Sequence, residues 1–208
     1  MCGPHGPRVR QSYEAPNLFP IWHKRMIPNF IRHVGFYSRD LVQGYRAKRI
    51  DSLAQALRNL VELDVWAEHC NASEENAKEF FDDMSRDTRE VIQTHQKIYT
   101  EINQEPSERS TRDLNTLRKH GATLDVNNLD GRFTQVSDAA KKLGRGTQHA
   151  SIYKVASKYA HPTALMLGLN EFPQVVMDRF YESGAILAYS CLSTVEKTIL
   201  KRCPDFDV

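Results

Sequence analysis

Apolar residues recur along this chain at three- and four-residue steps, and no stretch alternates apolar and polar residues as a half-buried strand does. The pattern predicts helices throughout. Phe30, Ile31, Val34, Phe36, Leu41 and Tyr45 place a first long helix over about Asn29–Arg46, with Pro28 in its first turn. Phe19 to Ile27 ahead of it is apolar enough for a short helix or a docking segment. Leu53, Leu57, Leu60 and Val61 share one stripe, so a second helix is expected over about Asp51–Cys70, capped by Asp51 or Ser52. Ser73 followed by Glu74 and Glu75 reads as the start of a third, reaching about Ile102.

From Gln104 to Thr134 the pattern loosens into a loop-rich connector with a short helix after Pro106–Ser107 and turn formers at Gly121, Asn127–Asn128 and Asp130–Gly131. A short helix to Leu143, a hinge at Gly144–Arg145–Gly146, and a helix ending at Pro162 follow. The last helix is expected over about Pro173–Lys201. The expected fold is all-α: a single bundle domain of five or six main helices over 19–208, preceded by an arm over 1–18 that need not be ordered.

Composition narrows the function classes. The formal net charge of +2 is too small to imply nucleic acid by itself, and no apolar run approaches the roughly 20 residues of a membrane span. Without a signal-peptide core at the N-terminus, the expected location is the cytoplasm. Cys2, Cys70, Cys191 and Cys203 are scattered, which argues against a zinc or disulfide framework, and Cys70 and Cys191 read as small core or surface thiols. Neither Glu-x-x-His nor His-Glu-x-x-His occurs, and no metal or cofactor is expected.

The polar residues that need explaining fall on two helices. Tyr153, Ser157 and His161 recur at four-residue spacing on one face of the helix that stops at Pro162, with Lys158 beside them. Ser157 sits mid-helix, a poor place for a nucleophile, and its hydroxyl is expected to bond back to the Tyr153 carbonyl. On the second helix Arg58 and Glu62 are four apart, and Asp64 falls inside the apolar stripe. A carboxylate there must find a cation or several donors; Arg58 is one candidate, and the ladder helix offers others. Glu68, His69 and His95 read as surface or capping residues.

Leu57-Arg-Asn-Leu-Val-Glu62, followed about ninety residues later by Tyr153-x3-Ser157-x3-His161-Pro162, resembles an uncharacterised prokaryotic family of all-helical proteins catalogued as a domain of unknown function. The resemblance spans roughly residues 30–200. It implies an all-helical fold with a shared polar cluster drawn from Arg58, Glu62, Tyr153, Ser157 and His161, and no established activity. The chain is also faintly similar to the HEPN superfamily of helical RNases and nucleotide-binding modules. Their motif has an arginine and a polar residue four to six positions before a histidine, whereas Lys158-Tyr-Ala-His161 has lysine and only two intervening residues.

Three functional readings follow. In the first, the cluster binds a nucleotide, RNA or protein partner. Arg46, Lys48, Arg49, Lys141, Lys142, Arg145 and Lys154 near its mouth would favour phosphate. In the second, His161 is the acid/base of a metal-independent endoribonuclease, with Arg58 or Lys158 stabilising charge and Tyr153 orienting. In the third, the cluster only fixes helix register. The sequence favours the first, with homodimerisation through apolar outer faces as a further expectation.

Overall fold

A computed structural model describes residues 21–102, 108–123, 126, 128–161, 163, 166, 168 and 171–202, the side chains of 21–23, 123 and 202 excepted. The expected arm over 1–18 lies outside the described residues. Seven helices and no strand occur among the described residues: α1 (Ile21–Arg46), α2 (Ile50–Ala72), α3 (Glu74–Glu101), α4 (Glu108–Thr123), α5 (Val136–Lys142), α6 (Gly146–Ala160) and α7 (Gln174–Arg202). The fold is all-α as expected, with seven helices rather than five or six. Gly144, in the left-handed region at φ 73°, turns the chain between α5 and α6 and keeps them separate.

The first helix is longer than its pattern suggested. It starts at Ile21 and carries Pro28 inside it rather than in its first turn. Proline removes one i→i−4 hydrogen bond, and Pro28 is exposed, so α1 takes that loss on its solvent side. The start of α2 differs as well. Arg49 occupies the cap position with extended backbone and makes no side-chain cap; neither Asp51 nor Ser52 does. Asp51 instead receives the Arg49 guanidinium at 2.6 Å in an exposed pair. The Ser73 cap is as expected, its hydroxyl accepting from the Asn76 backbone N–H at 3.1 Å.

The centre of the molecule is α2, which packs against α1, α3, α5, α6 and α7. Leu53, Ala54, Leu60 and Val65 are wholly buried, and Ala56, Leu57 and Val61 nearly so. This helix is apolar on almost every side because neighbours surround it, in contrast to the single stripe of a surface helix. Its close packing extends to Gly44 at the end of α1, where an added Cβ would stand 3.0 Å from the Leu53 backbone nitrogen. Cys70 and Cys191 are buried, and burial pushes the Cys191 thiol up to about 12. Both are core thiols.

The connector is tied down where it is described. Arg86 of α3 donates to the Asn128 carbonyl at 3.1 Å, and Arg89 donates to the Leu129 and Gly131 carbonyls at 2.7 and 3.1 Å. Asp83 accepts from the Thr134 backbone N–H at 3.0 Å. These bonds seat the strap over 128–134 on α3 and lead it into α5.

Truncating the central layer should therefore cost far more than truncating the surface. Leu60→Ala should lower the unfolding free energy by about 2–5 kcal/mol, the range for large-to-small core changes. Ile186, 67% exposed on α7, should tolerate Ile186→Ser within about 0.5 kcal/mol. Urea denaturation of both variants checks the contrast, and similar losses would contradict the central placement of α2.

Candidate functional site

Helices α2 and α6 lie side by side and antiparallel, as two sets of polar contacts show. Near the start of α2, Arg58 meets Tyr153 and His161 towards the end of α6. Further along α2, Asp64 and Glu68 meet Arg145 at the start of α6. The two helices that carry the candidate residues are therefore in contact, which sequence order alone could not establish.

At the first junction one guanidinium organises everything. Arg58 Nη1 lies 2.8 Å from His161 Nε2, and Nη2 donates to the Tyr153 hydroxyl. The guanidinium carbon also stands 4.4 Å from the centroid of the Tyr153 ring, within cation–π range. An arginine can only donate, so Nε2 of His161 accepts and the imidazole is neutral with its proton on Nδ1. Protonation at Nε2 would set donor against donor and break the contact.

His161 is exposed at the cap of α6, in extended backbone (φ −118°, ψ 154°), where the following proline disfavours helix. On the other side of Tyr153 the His149 ring stacks at 5.6 Å.

Two atoms of the junction lack partners. The Ser157 hydroxyl is buried without a hydrogen bond, so it does not bond back to the Tyr153 carbonyl as expected; Arg58 Nε is orphaned in the same way. Glu62 is half-buried and forms no ion pair with Arg58, because the guanidinium has turned to α6. Burial raises the Glu62 carboxyl above its ordinary range, and the charge of Arg58 only partly opposes that shift. A carboxylate whose ionised form the fold disfavours is not cementing the fold. Lys158 is exposed, and among the described residues no side-chain hydrogen bond or ion pair joins it to the cluster.

Asp64 belongs to a different junction. It is 1% exposed, and its partner is Arg145, whose Nη2 reaches Asp64 Oδ2 at 2.6 Å while Nη1 holds Glu68. The cation is thus not Arg58, since that side chain lies about six residues back along α2 and faces the far end of α6. The sequence signal for Arg145 was modest: an arginine between two glycines at the head of the ladder helix.

Its engagement also thins the expected basic mouth. Lys141 pairs with Asp138, Lys142 with Glu79 and Arg49 with Asp51, leaving Arg46, Lys48 and Lys154 exposed. Glu68 thus pairs with Arg145 while its side chain stays 42% exposed. His69 is not a surface residue: it is completely buried, edge-on to Trp66 at 5.7 Å, with neither ring nitrogen hydrogen-bonded. His95 is exposed as expected.

Beside this interface is a cavity of about 560 Å³ where α1, α2, α3, the connector, α5 and α6 converge. Phe30, Trp66, Phe80 and Phe133 supply its apolar wall; Glu62 and Tyr153 bring it to the edge of the Arg58 junction. Nothing in the periodicity of the sequence signalled it, because its walls come from six segments.

A family model described as "Family of unknown function (DUF5677)" matches residues 41–172. The chain belongs to this family. The matched span contains both polar junctions, so Arg58, Glu62, Asp64, Arg145, Tyr153, Ser157, Lys158 and His161 all fall within the DUF5677 region. No curated protein and no solved structure matches the chain. Among the described residues no His, Cys, Asp and Glu side chains cluster so as to hold a metal ion, and no helix is long and apolar enough to cross a membrane.

Two outcomes test the electrostatics. Arg145→Ala strands the buried Asp64 and should destabilise by about 3–5 kcal/mol, whereas replacing both by apolar residues of similar size, Asp64→Leu with Arg145→Met, should recover most of it. Denaturant melts of the single and double variants decide this; a single variant that costs under about 1 kcal/mol would contradict the buried-pair reading.

The second outcome concerns pH. Burial holds His69 and His149 below the ordinary imidazole range, with the charge of Lys142 adding for the first and Arg145 for the second. A depressed histidine takes its proton more readily when unfolded. Stability is therefore full above the ordinary value of about 6.5 and is lost as pH falls from there towards the folded values. The urea midpoint should drop between pH 7.5 and 5.5, and His69→Met should shrink that drop.

Proposed function

We propose that the Arg58–Tyr153–His161 junction binds a phosphate-bearing ligand, a nucleotide or RNA, and that the chain acts as a binding module. The observation that carries this reading is an arginine held rigid without a carboxylate. Among the described residues, the partners of Arg58 are a phenol, a π-face and a neutral imidazole. Its positive charge is therefore fixed in direction and left uncompensated by any ion pair. Guanidinium suits phosphate because its fork matches two oxygens at once, and preorganisation lowers the entropy lost on binding.

A phosphate oxygen replacing the Nε2 contact would favour a doubly protonated His161 and turn an acceptor into a second donor. The buried Ser157 hydroxyl beside the junction has no partner and offers a ligand one unfilled hydrogen bond; leaving it unmade costs about 1–3 kcal/mol.

A second reading, an endoribonuclease like those of the HEPN superfamily, draws on one observation: an acid/base group 2.8 Å from a cation. His161 would move the proton and Arg58 would stabilise charge on the phosphorane. Lys158, apart from the junction, has no part in it.

Fluorescence polarisation with a short labelled RNA and with a nucleoside monophosphate, at low salt, separates these. Binding should weaken steeply as salt rises, and Arg58→Ala should lower affinity at least tenfold while retaining the helical circular dichroism. Absence of binding to both probes at low salt, or full binding by Arg58→Ala, would sink the proposal. RNA cleavage lost in His161→Ala would promote the second reading.

A further inference from the structure

We propose that the cavity between α1, α2, α3 and α6 is a second binding site, for a small organic cation with an aromatic or apolar body. Its walls and its charge point the same way. Trp66 packs on Phe80 with ring centroids 4.5 Å apart, and Phe30 stacks on Phe80 at 5.9 Å. These rings face a volume of about 560 Å³, within the roughly 300–1,000 Å³ of small-molecule clefts. The ionisable groups at the lining are three carboxylates (Glu62, Asp83 and Asp87), a histidine and a tyrosine; no lysine or arginine is among the described lining residues.

The carboxylates are not equivalent. Asp83 is fully engaged, bonded to Arg86 at 2.6 Å and to the Thr134 N–H at 3.0 Å. Asp87 is exposed at the mouth and makes no ion pair among the described residues. Glu62 matters most. It is half-buried beside aromatic rings, and no hydrogen bond or ion pair reaches it from the described residues.

Removing a carboxylate from water without a partner is unfavourable, and its nearest cation, Arg58, is held away by α6. A protonated amine in the cavity would supply the missing donors, while its apolar body covers the aromatic wall. Aromatic faces add to this because their negative π-clouds attract a cation, by more when the site is dry. The same surroundings disfavour an anion. This site does not rest on the phosphate reading, since neither Arg58 nor His161 lines the cavity.

Isothermal titration calorimetry with three probes of one shape tests it: 2-phenylethylammonium, 2-phenylethanol and 3-phenylpropionate. The ammonium should bind at least tenfold more tightly than the alcohol, and the carboxylate not measurably. Glu62→Gln should bring the ammonium down to the level of the alcohol and leave the alcohol unchanged. Phe80→Ala should weaken both.

Equal binding of ammonium and alcohol would reduce the cavity to an apolar pocket and overturn the proposal. Preference for the carboxylate, or no binding of any probe at millimolar concentration, would overturn it as well. The comparison of the three probes on the unmodified chain stands even if Glu62→Gln fails to fold.

Discussion

Asp64 lies in the middle of the apolar surface of α2, where an ionised carboxylate is tenable only with a cation against it. Arg145 supplies that cation from the head of α6, reaching Asp64 with one nitrogen and Glu68 with another. Replacing such a pair by apolar groups of equal volume is often neutral or stabilising, so its contribution is better sought in specificity than in net stability. Here it fixes which part of α6 lies against which part of α2. Sliding α6 by one turn would leave a buried carboxylate without a partner. The register set at one end then dictates the other, and it brings Arg58 under Tyr153 and His161.

That inheritance explains why the two junctions differ in character. At the Asp64 junction one guanidinium serves two carboxylates, the buried Asp64 and the partly exposed Glu68, and Asp64 Oδ1 is left without a hydrogen bond. The Arg58 junction lies where α6 stops, and its members reach the surface. There a guanidinium is held by neutral groups, a hydroxyl is left without a bond and a carboxyl titrates above its ordinary range. Structural networks tend towards full satisfaction, because in a low dielectric each unmade bond is costly. Departures from that rule concentrate at functional sites. The phosphate reading and the cation cavity both begin from such departures, on opposite sides of Tyr153.

Periodicity made the helical class legible, along with most boundaries in the central and final helices. The ends that went astray have local causes, whereas the hinge at Gly144 between α5 and α6 lies where it was expected. Pro28 suggested a start but is absorbed within α1. Arg49 stands at the head of α2, where a hydroxyl or carboxylate was expected. The Tyr-x3-Ser-x3-His ladder was legible because four-residue spacing needs no tertiary knowledge. Its meeting with Arg58 was an expectation that only packing could place. The identity of the Asp64 partner and the burial of His69 were not legible: both depend on which faces of α2 are covered, and this helix is covered nearly all round. The cavity was invisible for a related reason, since its aromatic residues are spread along the chain from Phe30 to Tyr153.

An anion received jointly by Arg58 and His161, as proposed, must change the hydrogen-bonding state of the imidazole. Nitrogen-15 NMR of the His161 ring during titration with a nucleoside monophosphate tests it at the atom concerned. Nε2 should move from an acceptor-type to a protonated, donor-type chemical shift as ligand is added, and Arg58→Ala should abolish the change. A His161 ring that keeps its unliganded shifts while the protein saturates with the ligand would contradict it.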